Sequence, residues 1–170
     1  MSWFNRNREA ERENPVWGDV QTKAVMASET YNQVVYLKEI PKNPNVITIG
    51  RYGLLNIVRG WKQFDTSKRC FWHEREKGYC EIRVRSLSVS RNHCVIYKAD
   101  DGNYYVYDGD YGISNGKFHR GVINAIQRKP SRNGTWVNNT LIAKRGQVGE
   151  KMLESGDEIT AGNFVFRLDQ

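Results

Sequence analysis

From Gln33 onward the chain is a succession of short runs rich in β-branched and aromatic residues, each cut off by Gly, Pro, Asn or Asp. Such runs stay extended because branched and aromatic side chains pack well on a pleated surface, and the turn residues end them. Val34-Val35-Tyr36-Leu37 is closed by Pro41 and Pro44, and Val46-Ile47-Thr48-Ile49 follows. Glu81-Ile82-Arg83-Val84-Arg85 alternates strictly, which predicts a strand with one buried face. Cys94-Val95-Ile96-Tyr97 leads through an Asp101-Gly102 hairpin turn into Tyr104-Tyr105-Val106-Tyr107. Thr135-Trp136-Val137-Asn138 comes next and then, after a polar loop, Asp157-Glu158-Ile159-Thr160. Ala161-Gly162-Asn163 turns into Phe164-Val165-Phe166-Arg167-Leu168. This pattern predicts an all-β sandwich of mainly antiparallel strands.

Two segments interrupt the rhythm and are expected to be long loops inserted between strands, at about 52–80 and 109–130. The first mixes Trp61, Phe64, Phe71 and Trp72 with many charges, and Leu54, Ile57, Val58 and Trp61 have the spacing of a short helix. The second is rich in Gly and basic residues. Loops this long in a compact domain are usually functional or disordered. Residues 1–30 are polar and mixed in charge and read as a tail, partly disordered or docking through Trp3, Phe4 and Trp17, ahead of a domain over 31–170.

At 170 residues the chain can bury one core without disulfide support. It has neither an apolar run near the ~18 residues of a membrane helix nor a secretory pattern at its N-terminus. A soluble, cytoplasmic protein is the expectation. Three cysteines are an odd count and argue against a disulfide framework. Cys70-x-x-His73 with Cys80, and His119 from elsewhere, could supply zinc ligands. The plainer reading is reduced thiols, with Cys94 in the core, and no metal or other cofactor is expected. No Gly-rich phosphate loop, nucleophile elbow or kinase motif is present, so no enzyme is expected.

The net charge of +7 is unevenly spread. Segment 51–85 has nine Lys/Arg against four Asp/Glu, and segment 111–132 has five against none. Each is therefore +5, and the remaining chain carries −3. The basicity belongs to the two interruptions and their borders.

Three clusters at the ends of strand-like runs carry chemistry: Ile49-Gly50-Arg51, Ser90-Arg91-Asn92-His93 and Asn133-Gly134-Thr135. An arginine guanidinium is permanently charged and makes two parallel hydrogen bonds to a phosphate. A serine hydroxyl adds a donor, and an amide side chain can hold a peptide backbone in register. Loops that converge at one end of a sandwich can bring such groups together.

The ordered set Gly-Arg, Ser-x-x-His and Asn-Gly resembles the signature of the forkhead-associated (FHA) domain. Leu153-Glu154-Ser155-Gly156-Asp157-Glu158-Ile159 is similar to that family's turn before its last strands. The resemblance covers roughly residues 33–169 apart from the two interruptions. It implies a β-sandwich that reads phosphothreonine in a protein partner. It also implies that Arg51, Ser90, Arg91, Arg132, Asn133 and Thr135 bind the phosphopeptide, with Gly50, His93 and Gly134 as structural support and His93 without a catalytic role. Two rival readings stay open here: nucleic-acid binding through the basic, aromatic-containing interruptions, and a scaffold domain whose phosphate site an interruption blocks.

Overall fold

The computed structural model describes residues 34–40, 44–51, 60–65, 67–121, 129–143 and 147–169. The expected tail over 1–30, and Leu54, Ile57 and Val58 of the helical spacing, lie outside these residues.

Among the described residues the chain forms fourteen strands and one short 3-10 turn, Leu37–Glu39. The strands are β1 Val34–Tyr36, β2 Val46–Arg51, β3 Lys62–Phe64, β4 Ser67–Glu76, β5 Tyr79–Val84, β6 Cys94–Lys98 and β7 Tyr104–Asp108. They continue as β8 Tyr111–Ser114, β9 Lys117–Arg120, β10 Thr135–Val137, β11 Thr140–Ala143, β12 Gly149–Leu153, β13 Glu158–Ala161 and β14 Phe164–Arg167. One sheet has the order β1-β14-β13-β10-β11, and the other has the order β12-β7-β6-β2-β5-β4-β3. Most pairs are antiparallel; β1 with β14 and β2 with β5 are parallel. No helix among these residues is long and apolar enough to cross a membrane.

The sandwich follows from the period of two. On β5, Cys80, Ile82 and Val84 point inward and are buried, while Arg83 points outward. They meet Ile47 and Ile49 of β2, Cys94 and Ile96 of β6, and Val137, Ile159, Phe164 and Phe166 of the opposite sheet in one core. Burial of this kind contributes roughly 25 cal/mol per Å² of apolar surface and outweighs the propensity of any single strand.

Both expected insertions differ from the loops the sequence suggests. Over 67–76 the chain is a ten-residue strand that pairs with β5 on one side and with β3 on the other. These strands extend one edge of the seven-stranded sheet. The alternation was hard to read because both faces of β4 hold aromatics: Trp72 joins the core and Phe71, 4% exposed, is buried against the other face. The same geometry separates the possible zinc ligands, since Cys70 and His73 lie three residues apart on a strand and face opposite ways. Cys70, Cys80 and Cys94 are all buried, and burial pushes each thiol up, Cys80 to about 12.

In the second insertion, β8 and β9 form a two-stranded hairpin. Asn115 and Gly116 at its tip have φ of 51° and 66°, the paired left-handed angles of a type I′ turn. The hairpin lies on the outer face of the seven-stranded sheet. Phe118 stacks on Tyr97 with centroids 4.1 Å apart and meets Tyr107 edge-on. Arg120 forms an ion pair with Glu150 and donates to the Tyr97 hydroxyl, whose pKa is pushed up to about 12, chiefly by burial. At the tip, Gly116 N–H donates to Glu76 Oε1 at 2.8 Å, beside the turn that joins β4 to β5.

The polar stretch between β10 and the last strands also hides structure. Asn138 and Asn139, with φ of 49° and 66°, turn β10 into β11, and β12 pairs with β7. Because Phe118 stacks on Tyr97 and meets Tyr107 edge-on between hairpin and sheet, Phe118→Ala is expected to cost about 2 kcal/mol. Urea denaturation followed by tryptophan fluorescence measures this.

Candidate functional site

The clusters Gly50-Arg51, Ser90–His93 and Arg132–Thr135 meet at one end of the sandwich. The backbone joins them first. Arg51 N–H donates to Ser90 C=O at 2.8 Å, and His93 N–H donates to Ile49 C=O at 2.8 Å. The loop before β6 is thereby stitched to the end of β2. Gly50 makes this approach feasible: a Cβ there would lie 2.1 Å from Arg91 O and 2.2 Å from Arg83 Nη1. Any side chain would push the Ser90 loop off the strand.

His93 then links the two sheets. Its side chain is 0% exposed. Ser90 N–H donates to Nδ1 at 3.1 Å, so the proton sits on Nε2, which donates to Gly134 C=O at 2.9 Å. One neutral imidazole therefore ties the β5–β6 loop to the segment entering β10. Burial holds the His93 pKa below its usual 6.5, against the opposing pull of Asp108 and the Gly134 carbonyl. Gly134 has φ +80°, and a Cβ would lie 2.5 Å from Ala143 O.

The second brace is Asp108 at the end of β7, which the sequence did not single out. Its carboxylate is fully buried and accepts from Ser131 N–H at 2.7 Å, Ser131 Oγ–H at 2.5 Å and Thr135 Oγ–H at 2.6 Å. Such bonds to a buried charge are the strong kind. They also correct one expectation: the Thr135 side chain, 0% exposed, is turned into this network and not toward a ligand. The only signal was the mixture of one acidic residue with hydroxyls on strands that otherwise read as core.

The third brace is Glu81, 4% exposed, which forms ion pairs with both Arg75 and Arg83. Arg83 in turn donates to Arg91 C=O and to Asn92 Oδ1. Asn133 Nδ2 donates to Ser88 C=O at 2.6 Å, and Ser88 Oγ is bonded to Asn163 in the β13–β14 turn.

The remaining groups are unspent. Ser90 Oγ accepts from Arg132 N–H at 3.0 Å, and its own O–H makes no bond to a described residue. The guanidiniums of Arg51, Arg91 and Arg132 form no hydrogen bond or ion pair with a described residue, and Arg91 and Arg132 are exposed. Cations anchored by their own backbone, without acidic partners, raise the local potential for an anion.

The histidine link has a pH consequence. A buried imidazole with a lowered pKa contributes stability that is complete above 6.5, its unfolded value, and is lost as pH falls toward the folded value. Protonation would also put a hydrogen on Nδ1 facing Ser90 N–H. Urea midpoints between pH values of about 7.5 and 5 are expected to fall on acidification, with a shallower slope in His93→Asn.

The model of the FHA domain family matches residues 75–162, just over half of the chain. The match takes in Ser90, His93, Arg132, Asn133 and Gly134; Gly50 and Arg51 precede it and join the site through the backbone bonds of β2. A curated relative is the probable serine/threonine-protein kinase fhkA of Dictyostelium discoideum, 31% identical over 90 residues. That alignment covers 53% of this chain and 12% of the relative, so the chain corresponds to a small part of that protein's length. Family match and two-sheet sandwich agree, and the chain belongs to the FHA domain family, interaction modules that generally depend on phosphothreonine.

Proposed function

We propose that this chain binds phosphothreonine segments of a partner protein and performs no catalysis. The observation that carries this reading is the convergence of three arginine-bearing segments on Ser90: their guanidiniums have no acidic partner, and the Ser90 O–H no acceptor, among the described residues. A phosphate ester brings about −1.5 to −2 charges and three acceptor oxygens at neutral pH. Arg51 and Ser90 are the groups assigned to those oxygens, with Arg91 and Arg132 adding positive charge at the rim. Asn133 keeps its Oδ1 for a peptide N–H, since its Nδ2 is engaged with Ser88. Thr135, His93, Asp108 and the two glycines act behind these groups by holding the loops. Discrimination comes from charge and from donor geometry on rigid loops, and no group in it is set up as a nucleophile or general base. The kinase activity in the relative's name is that protein's own.

The rival readings find less support. Of the four aromatics, Phe64, Phe71 and Trp72 are buried and offer no faces on which bases could stack, while Trp61 is half-buried, edge-on to His73 and beneath Arg75. The described parts of the two interruptions extend a sheet edge and dock on its outer face. A blocked site would need a cover that these strands do not provide.

Titration of the chain with paired peptides, phosphorylated and unphosphorylated on one threonine, tests the proposal by fluorescence anisotropy. Wild type is expected to favour the phosphorylated form by at least ~100-fold, and Arg51→Ala to weaken that binding by about 2 kcal/mol or more. Ser90→Ala is expected to lose about 1–2 kcal/mol. Equal binding of both peptides by wild type, or equal binding by all three proteins, would sink it.

A further inference from the structure

The two ends of the Ser90–His93 loop are pinned by β2, and its middle is pinned by a side chain. At the ends, Ser90 C=O accepts from Arg51 N–H and His93 N–H donates to Ile49 C=O. Between them, no backbone donor among the described residues reaches Arg91 C=O, and its partner is the Arg83 guanidinium. The same guanidinium donates to Asn92 Oδ1 through both Nη1 and Nη2, each at 3.3 Å. One residue of β5 thus holds two successive loop residues, although it belongs to none of the three clusters.

Arg83 reaches the loop across Gly50. The two are register partners on β5 and β2, and a Cβ on Gly50 would lie 2.2 Å from Nη1. Ile49 is in the core, so alternation puts Gly50 on the outer face and Arg51 on the other. Arg83 therefore steadies the loop from the face opposite Arg51, and its contacts are with the protein.

Glu81 fixes the guanidinium in turn. Its Oε1 accepts from Arg83 Nε at 2.6 Å and from Nη2, while its Oε2 accepts from Arg75 Nε on β4. Glu81 is 4% exposed, so these bonds lie in a shielded place where charge-assisted contacts are strong. The planar fork presents Nε and Nη2 to the carboxylate and Nη1 to the Arg91 carbonyl, a double engagement that a lysine ammonium cannot reproduce.

We infer that Arg83 is a positioning residue of the phosphate grip: locked by Glu81, it sets the Ser90–His93 loop against β2 and so places the Ser90 hydroxyl for the phosphate without touching the ligand. The inference rests on the phosphothreonine reading above and adds to it a residue outside the clusters. It also gives the inserted strand β4 a part in binding, since Arg75 occupies the second oxygen of Glu81.

A double-mutant cycle on the full chain tests this, with one phosphothreonine peptide and its unphosphorylated twin followed by fluorescence anisotropy. Arg83→Met is expected to weaken phosphopeptide binding roughly tenfold, the usual worth of a hydrogen bond to a charged group, and Arg83→Lys to recover part of that loss. In a Ser90→Ala background the same Arg83→Met change is expected to cost less than about threefold, because the hydroxyl it positions is gone. Glu81→Gln combined with Arg83→Met leaves no buried carboxylate short of a partner, so it is expected to show the binding loss in a chain that still melts cooperatively. Hydrogen exchange reads the loop without any peptide: in Arg83→Met the Arg51 and His93 amides are expected to exchange roughly tenfold faster while those of β7 keep their rates. Equal losses in the two backgrounds would point to net charge or folding and overturn the positioning role. Wild-type affinity in folded Arg83→Met, or unchanged exchange at Arg51 and His93, overturns it as well and leaves the phosphothreonine reading standing. If wild type binds both peptides equally, the two readings fall together.

Discussion

The arrangement of the loops at this end of the sandwich depends on one uncharged imidazole. His93 accepts from Ser90 and donates to Gly134 along one axis, and so joins a loop of the seven-stranded sheet to a strand of the five-stranded sheet. Neither a charged residue nor an apolar one could do this: a charge would be costly to bury, and a hydrocarbon would leave two backbone groups unpaired. Burial itself keeps the ring neutral, so the same packing that needs the bond also preserves the protonation state that makes it.

Two buried carboxylates complete the frame. Asp108 gathers Ser131 and Thr135, and Glu81 gathers Arg75 and Arg83, which reaches on to the Ser90 loop. The acids are buried beneath the loops, and Arg51, Arg91 and Arg132 have no acidic partner among the described residues. This division leaves the potential of the arginines uncancelled by a neighbouring acid. The added strands β3 and β4 contribute to the frame as well, since Phe64 and Trp72 fill core and Arg75 pairs with Glu81.

Much of the sandwich was legible in the chain, since alternating runs and Gly, Asp and Asn turns mark β2, β5, β6, β7, β13 and β14 directly. The order of Gly50-Arg51, Ser90–His93 and Asn133-Gly134 was equally plain. Strand β4 escaped notice because a strand with aromatics on both faces loses its period-two contrast. The β8–β9 hairpin had a signal in Asn115-Gly116, as did β10–β11 in Asn138-Asn139, but short strands with charged or glycine-containing sequences do not otherwise advertise themselves. Asp108 was invisible for another reason. A single acid at a strand end is ordinary in sequence, and only its burial beside two hydroxyls gives it a role. Thr135 looked like a ligand contact by adjacency to Asn133, yet the strand's alternation turned it inward.

The residues alone therefore determined the class of fold and the chemical kit for holding a phosphate, because side-chain period and functional groups are local properties of a chain. Tertiary structure decided which of those groups are available. It buried Thr135 and His93, used up Arg83, and left Arg51, Arg85, Arg91 and Arg132 without acidic partners among the described residues. It also turned the described parts of two apparent insertions into an extended sheet edge and a docked hairpin. Availability depends on what each side chain meets across the core and between loops, and such contacts join residues up to 75 positions apart, as Ser88 joins Asn163.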